Sequence, residues 1–187
     1  MGFSREELRS FEGKTVPDLL GAGVRLLFVG INPGLWTAAT QTHFCHPSNR
    51  FYPALRKAGL IDLTIDANVG MTDAQRHEFV ARGIGITNLV ARATARASEI
   101  PADELRQGGQ RLLATIDVAR PAVVAIAGVT AYRTAFGQPR AVLGPQDAQV
   151  AGARIWAVPN PSGLNAHETT DSLAVWFAQV GKAAGLL

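Results

Sequence analysis

The sequence predicts an α/β protein, a three-layer α/β/α sandwich around a short, mostly parallel central sheet of about four strands. Three observations carry that expectation. Four short apolar runs, at 24–29, 85–90, 122–127 and 154–158, are rich in Val and Ile and do not alternate with polar residues, the pattern of strands covered on both faces. Segments of helical period lie between them. The chain of 187 residues contains no internal repeat and no linker-like stretch, so a single domain is expected.

The elements follow in order. Residues 1–20 form an N-terminal extension packed on the domain, which spans 1–187. The first run ends at Gly30 and passes into INPG, where Pro33 fixes its own φ and Asn32 sits at a strand end. Ser48 or Asn49 can cap a helix whose apolar residues Phe51, Leu55 and Ala58 share one face, and Gly59 ends it. A second helix is expected from 73 to about 82. The third starts at Pro101 with Asp103 and Glu104 in its first turn, and presents Leu105, Gly109, Leu112, Leu113 and Ile116 on one side. Gly108 and Gly109 each cost roughly 1 kcal/mol against alanine in a helix interior, which points to a close approach of some neighbour to that backbone. The last helix, 169–184, carries Leu173, Trp176, Phe177, Val180 and Ala184.

Composition narrows the function. Hydrophobic residues make up 47% and charged residues 18% of the chain, and no window approaches the roughly 18 uninterrupted apolar residues of a membrane helix. The N-terminal stretch MGFSREELRSFEGK lacks the apolar core of a signal peptide, so a cytoplasmic protein is expected. A single cysteine, Cys45, excludes an internal disulfide, a cysteine-ligated zinc and a four-cysteine iron–sulfur cluster. The net charge of +3 suits a polyanionic partner and an ordinary enzyme alike.

In parallel α/β sheets ligands gather at the carboxyl ends of the strands. That singles out GINPG, 30–34, and PNPSGLNAHET, 159–169. Neither is a phosphate-cradling glycine loop, so nucleoside triphosphates and dinucleotides are not expected. His43 and His46 have no partners at metal-ligand spacing, and no metal or other cofactor is expected. Cys45 beside His46 reads as a small buried residue rather than a nucleophile. Asn32 reads either as a rigid turn residue or as a site residue, and the second Asn-Pro corner, at Asn160, favours a site.

Four segments, GINPG at 30–34, HFCHPSNRF at 43–51, GIGITNLV at 83–90 and NPSGL at 160–164, resemble the mismatch-specific uracil-DNA glycosylases, which group with the thymine-DNA glycosylases in the uracil-DNA glycosylase superfamily. The resemblance runs from about Leu26 to the last helix. It implies a monofunctional DNA-repair enzyme that hydrolyses the N-glycosidic bond of uracil, or of thymine or damaged pyrimidines, mispaired with guanine in duplex DNA. The base would be flipped out of the helix, at a cost of a few kcal/mol that is smallest for a weak mismatch. By position, Asn32 would orient the attacking water, Phe44 would stack on the flipped base, and the backbone near Ile31 with the Asn160 side chain would stabilise the departing anion. Leu164 would wedge into the vacated stack, Gly163 to Asn165 would meet the opposite strand, and Ser162 with the helix beginning near Glu168 would hold flanking phosphates.

An amide orients water without removing its proton, so slow turnover is expected. Two positions depart from the family's pattern. Ala166 stands where relatives often carry arginine, and Ala91, followed by Arg92, stands where many carry an acid. The double-stranded DNA partner would be met by a monomer, without lyase chemistry. Two alternatives remain: a mismatch- or abasic-site-binding protein without catalysis, and a glycosidase acting on free nucleosides.

Overall fold

Strand β1 (Leu26–Gly30) explains the layering. Its side chains alternate across the sheet, so Leu26 and Phe28 enter one apolar cluster and Leu27 and Val29 the other. Strands β2 (Ile84–Asn88), β3 (Val123–Ala127) and β5 (Ala153–Val158) pair in parallel around it in the order β2-β1-β3-β5. The computed structural model describes residues 2–187.

A fifth strand, β4 (Gly144–Val150), runs antiparallel to β5 at the edge and raises the expected count of about four. Its sequence GPQDAQV is polar and largely solvent-facing, so it lacks the apolar signature that marks its buried neighbours. An irregularity between Pro145 and Gln149 shifts its register.

The helices are α1 (Arg5–Arg9), α2 (Leu35–Thr40), α3 (Phe51–Lys57), α4 (Asp73–Ala81), α5 (Ala102–Ala119), α6 (Val129–Phe136) and α7 (Thr170–Ala183), with a 3-10 turn at Ala97–Glu99. Three of them, α1, α2 and α6, are additions to the sequence reading. Helices α2 and α6 start at Gly34 and Gly128 with no side-chain cap, so the strongest local start signal is missing. Asn49 does serve α3: its Oδ1 accepts from the Phe51 N–H at 2.9 Å, and Gly59 ends that helix at φ +79. Helices α3 and α7 pack together on one face of the sheet, α5 and α6 on the other. None of the described helices is long and apolar enough to cross a membrane.

The two mid-helix glycines of α5 have the expected cause. A Cβ on Gly108 would overlap the Leu89 carbonyl oxygen, and one on Gly109 would lie 2.6 Å from the Ala135 carbonyl oxygen. Both contacts are backbone, which cannot swing away. The Gly108→Ala variant is therefore expected to lose about 1–3 kcal/mol of stability, despite alanine's better helix propensity. Urea denaturation checks this; a gain in stability would mean α5 can shift freely.

The N-terminal segment lies against the outer edge of β2. The Leu19 N–H donates to the Ile86 carbonyl at 2.9 Å and the Ile86 N–H returns a bond at 2.8 Å. The Gly13 and Ala93 N–H groups bond across to the Ala93 and Lys14 carbonyls at 2.9 and 2.8 Å. Helix α1 continues onto α2, with Phe3 edge-on to Trp36 at 5.1 Å between ring centroids.

The chain goes from β1 outward to β2, then returns across β1 to β3. The loops after β1 and β3 thus leave in opposite directions, and a crevice opens between them at the carboxyl ends. Gly30, Asn88, Ala127 and Val158 end the four parallel strands at that edge.

Candidate active site

The crevice holds a cavity of about 360 Å³. Ile31, Asn32, Phe44, Asn160, Ser162, Gly163 and Leu164, all expected from sequence, line it. Asn165 does not; it stands behind the loop, where its Nδ2 donates to the Asn160 carbonyl at 3.0 Å.

Asn32 is oriented by what surrounds its nitrogen. Nδ2 faces the Pro33 carbonyl at 2.9 Å, the Arg92 carbonyl at 3.2 Å and Thr94 Oγ1 at 2.8 Å. The Thr94 hydroxyl donates to the Arg96 carbonyl at 2.8 Å, so toward Asn32 it can only accept. Turning the amide over would bring Oδ1 against two carbonyl oxygens and forfeit hydrogen bonds worth about 1 kcal/mol each. Oδ1 is thereby left with no protein donor among the described residues. The exposed function of Asn32 is a fixed acceptor.

Asn160 is locked in the opposite sense. Its Oδ1 accepts from the Ser162 N–H at 3.0 Å, which leaves Nδ2 as the free end. Gly128 borders that end, and its φ of +106 accounts for the glycine: a Cβ there would stand at ordinary contact distances, 3.7 Å from Ile31 Cδ1 and 4.0 Å from Asn160 Nδ2. Around one cavity, then, one amide offers an oxygen and the other its N–H groups.

Phe44 has φ +56, a left-handed conformation costing a non-glycine residue roughly 1–2 kcal/mol. Stacking on Phe51, with centroids 4.2 Å apart and planes at 24°, offsets part of this. One ring face is thus covered by Phe51, and a planar ligand can use only the other. Gly30 supports this arrangement, since a Cβ on it would overlap Asn88 Oδ1 and lie 3.2 Å from Phe44 Cζ.

That same contact brings in a residue the sequence reading did not single out. Asn88 closes β2 and lines the cavity, and its Nδ2 lies 2.9 Å from His43 Nδ1. His43 Nε2 is 2.9 Å from the Pro17 carbonyl, and burial holds the imidazole below its ordinary pKa. An amide closing a buried strand was the available signal. Thr94 and the Arg92 carbonyl, sixty residues along the chain from Asn32, carried none. The side chain of Arg92 forks onto Glu104 at 2.8 and 2.7 Å, tying the segment after β2 to α5. Arg92 thus follows Ala91 as a strut rather than as a replacement for an acid.

The loop 160–165 is braced against the loop 46–50. Arg50 Nη1 donates to the Ser162 and Asn165 carbonyls at 3.1 and 3.2 Å, and the Arg50 N–H to the Pro161 carbonyl at 3.0 Å. Gly163 sits so close to Ser48 that a Cβ would overlap its Oγ and lie 2.7 Å from its carbonyl oxygen. On top of this braced pair Leu164 is 88% exposed, an apolar side chain with nothing of its own chain to cover it. The Ser162 N–H is taken by Asn160, and its Oγ accepts from the Leu164 N–H at 3.3 Å. Only the hydroxyl proton of Ser162 remains to meet a phosphate.

The N-terminus of α7 departs from its expected role as a phosphate site. Thr169 and Ser172 close a capping box there, and Glu168 Oε2 accepts from Ser172 Oγ at 2.5 Å. A carboxylate and a self-satisfied cap occupy the end that a phosphate would need. Cys45 is buried with Sγ 3.6 Å from the Ala67 carbonyl, and burial pushes its thiol pKa up, as befits a core residue rather than a nucleophile. Lys14, Lys57 and Lys182 are absent from the cavity lining. Residues 17–179, which include Asn32, Phe44, Asn88, Asn160 and Leu164, match the family model described as the uracil DNA glycosylase superfamily.

Proposed function

The chain belongs to the uracil-DNA glycosylase superfamily, and from that premise we propose that it is a monofunctional, mismatch-specific enzyme of the branch that includes the thymine-DNA glycosylases. It removes uracil, and to a lesser degree other pyrimidines, mispaired with guanine in duplex DNA, and leaves an abasic site. The observation that carries this reading is the opposed locking of the two cavity amides. Hydrolysis of an N-glycosidic bond needs a water held beside C1′ and a donor beside the base oxygen where charge develops. Asn32 offers the acceptor and Asn160 the donor.

The C1′–N1 bond breaks first, its electron pair leaving on the base, where the Asn160 Nδ2 hydrogens and the N–H near Ile31 meet the developing negative charge. Water oriented by Asn32 Oδ1 then adds to the sugar cation and releases its proton to solvent. An amide does not take that proton, so the chemical step is slow. Phe44 offers one face for stacking. Among the described residues no lysine lines the cavity, so a lysine-borne Schiff base has no donor there, and the abasic strand is expected to be left intact.

Leu164 fits the wedge role because it is exposed on a braced loop, so its insertion orders no new backbone. Burying a leucine is worth about 1.5–3 kcal/mol. Leu164→Ala is accordingly expected to weaken binding to a G·U duplex carrying an uncleavable 2′-fluorinated nucleotide by roughly tenfold or more, read by fluorescence anisotropy; equal affinity removes the wedge. In this reading the Gly163–Asn165 backbone meets the unpaired guanine, and Ser162 a phosphate.

The reaction itself is tested on labelled duplexes containing G·U, A·U, G·T or single-stranded uracil, cleaved with alkali after incubation at enzyme excess. G·U is expected to give abasic sites fastest. No cleavage of any of them sinks the catalytic reading and leaves a lesion-binding protein; equal rates on G·U and A·U sink the mismatch preference.

A further inference from the structure

We propose that His43 is a positioning residue for base selection: by accepting a hydrogen bond at Nδ1 from Asn88 it fixes the way that amide faces the cavity, and so selects bases that carry a proton on the ring nitrogen. The inference rests on the glycosylase reading for the identity of the ligand, and on the hydrogen-bond network alone for the orientation of Asn88.

His43 is 2% exposed and has no room to turn. The Pro17 carbonyl, 2.9 Å from Nε2, can only accept, so Nε2 carries the ring proton in the neutral imidazole. The residue's own carbonyl takes the buried Tyr52 hydroxyl at 2.7 Å. Nδ1 then has a lone pair, and the atom of Asn88 beside it, at 2.9 Å, must be a donor. That leaves Asn88 Oδ1 and one Nδ2 proton for a ligand, at the place where Gly30 supplies no Cβ to push the oxygen aside. An imide edge, with N3–H beside C4=O, matches this pair. Cytosine, with a bare N3 beside an amino group, opposes it at both positions.

Protonation reverses the arrangement. A doubly protonated ring needs an acceptor at Nδ1, and Asn88 would have to turn its NH2 group toward the cavity, against N3–H. The groups facing the ring are the Asp18 carboxylate, which favours the cation, and the Arg76 guanidinium, which opposes it; Tyr52 stays un-ionised, with a pKa well above its ordinary value. Burial outweighs the favourable contacts and keeps the imidazole neutral at pH 7. The selecting form is therefore the one present above the imidazole pKa, and uracil excision should fall on the acid side, below the ordinary value of about 6.5.

The test compares uracil with N3-methyluracil, each opposite guanine, under single turnover. Wild-type protein is expected to prefer uracil by on the order of 10²-fold or more. His43→Gln, whose amide reaches the Pro17 carbonyl but offers Asn88 nothing, is expected to lose uracil rate and to narrow the preference at least tenfold. His43→Asn, whose Oδ1 falls near the Nδ1 position, is expected to restore the preference without the acid limb of the pH profile. An unchanged ratio in a folded His43→Gln protein, or an acid limb retained in His43→Asn, overturns the proposal. With 2′-fluorinated nucleotides, which resist cleavage, the same discrimination is read as affinity. A wild-type protein that excises nothing yet binds uracil over N3-methyluracil in a His43-dependent way overturns the catalytic reading alone, and one that binds both alike overturns the selection.

Discussion

Asn32→Ala is expected to lower single-turnover excision of uracil from a G·U duplex by on the order of 10²- to 10³-fold, the range of a group acting at the reacting water. Affinity for the uncleavable duplex should change by less than about threefold, because the wedge and the stacking face are untouched. A wild-type rate in this variant would make Asn32 a turn residue and nothing more. The companion variant is more informative. In water a carboxylate is the better base, which taken alone predicts a gain in activity for Asn32→Asp. The position forbids it: the Asn32 nitrogen faces the Pro33 and Arg92 carbonyl oxygens, and a carboxylate brings no hydrogen to either. Placing an anion against two carbonyls disfavours the ionised form or drives the side chain out of line. Asn32→Asp is expected to be no faster than wild type between pH 6 and 8, and a rate gain in that range would show that the amide lock is weak.

The second large effect is at Asn160. Removing one preorganised donor to a developing oxyanion costs about 10²- to 10³-fold in comparable sites, and Asn160→Ala is expected to fall in that range. Alanine also releases the Ser162 N–H, so the loop could loosen for an unrelated reason. Asn160→Asp separates the two effects, since it keeps the acceptor for Ser162 while it loses the donor and sets a negative charge beside the departing anion. It should be at least as slow as alanine. The loss should also shrink when 5-fluorouracil replaces uracil, because an electron-poor ring stabilises its own anion and gains less from the donor. A uniform loss across both bases would mean that Asn160 acts in binding rather than in bond breaking.

Much of this was legible in the sequence, for reasons that separate by type of interaction. Buried parallel strands announce themselves because both faces must be apolar, which is why the four parallel strands are legible and polar β4 is not. The glycine pair in α5 was legible because its propensity cost is intrinsic and the compensating contact had to exist. Motif positions such as Asn32 and Asn160 stood out as Asn-Pro corners at strand ends. What fixes those amides was not legible: Thr94 and the Arg92 carbonyl reach Asn32 through the fold, and His43 meets Asn88 across forty-five residues. A carbonyl has no sequence signature at all. The α7 N-terminus failed for a related reason, because Glu168 and the Thr169–Ser172 box satisfy it locally, and a generic rule about helix ends does not see its own occupant.

A twisted sheet with free margins is a template on which a second copy can add a strand. Here neither margin is an open template. At one side the segment ending in Leu19 trades backbone bonds with Ile86, and at the other β4 presents a proline and a break in register. The N-terminal extension is therefore more than packing. It covers the margin of the sheet, and a version trimmed of its first twenty residues, which also loses the Pro17 carbonyl that holds His43, is expected to expose an apolar margin and self-associate, read by size-exclusion chromatography.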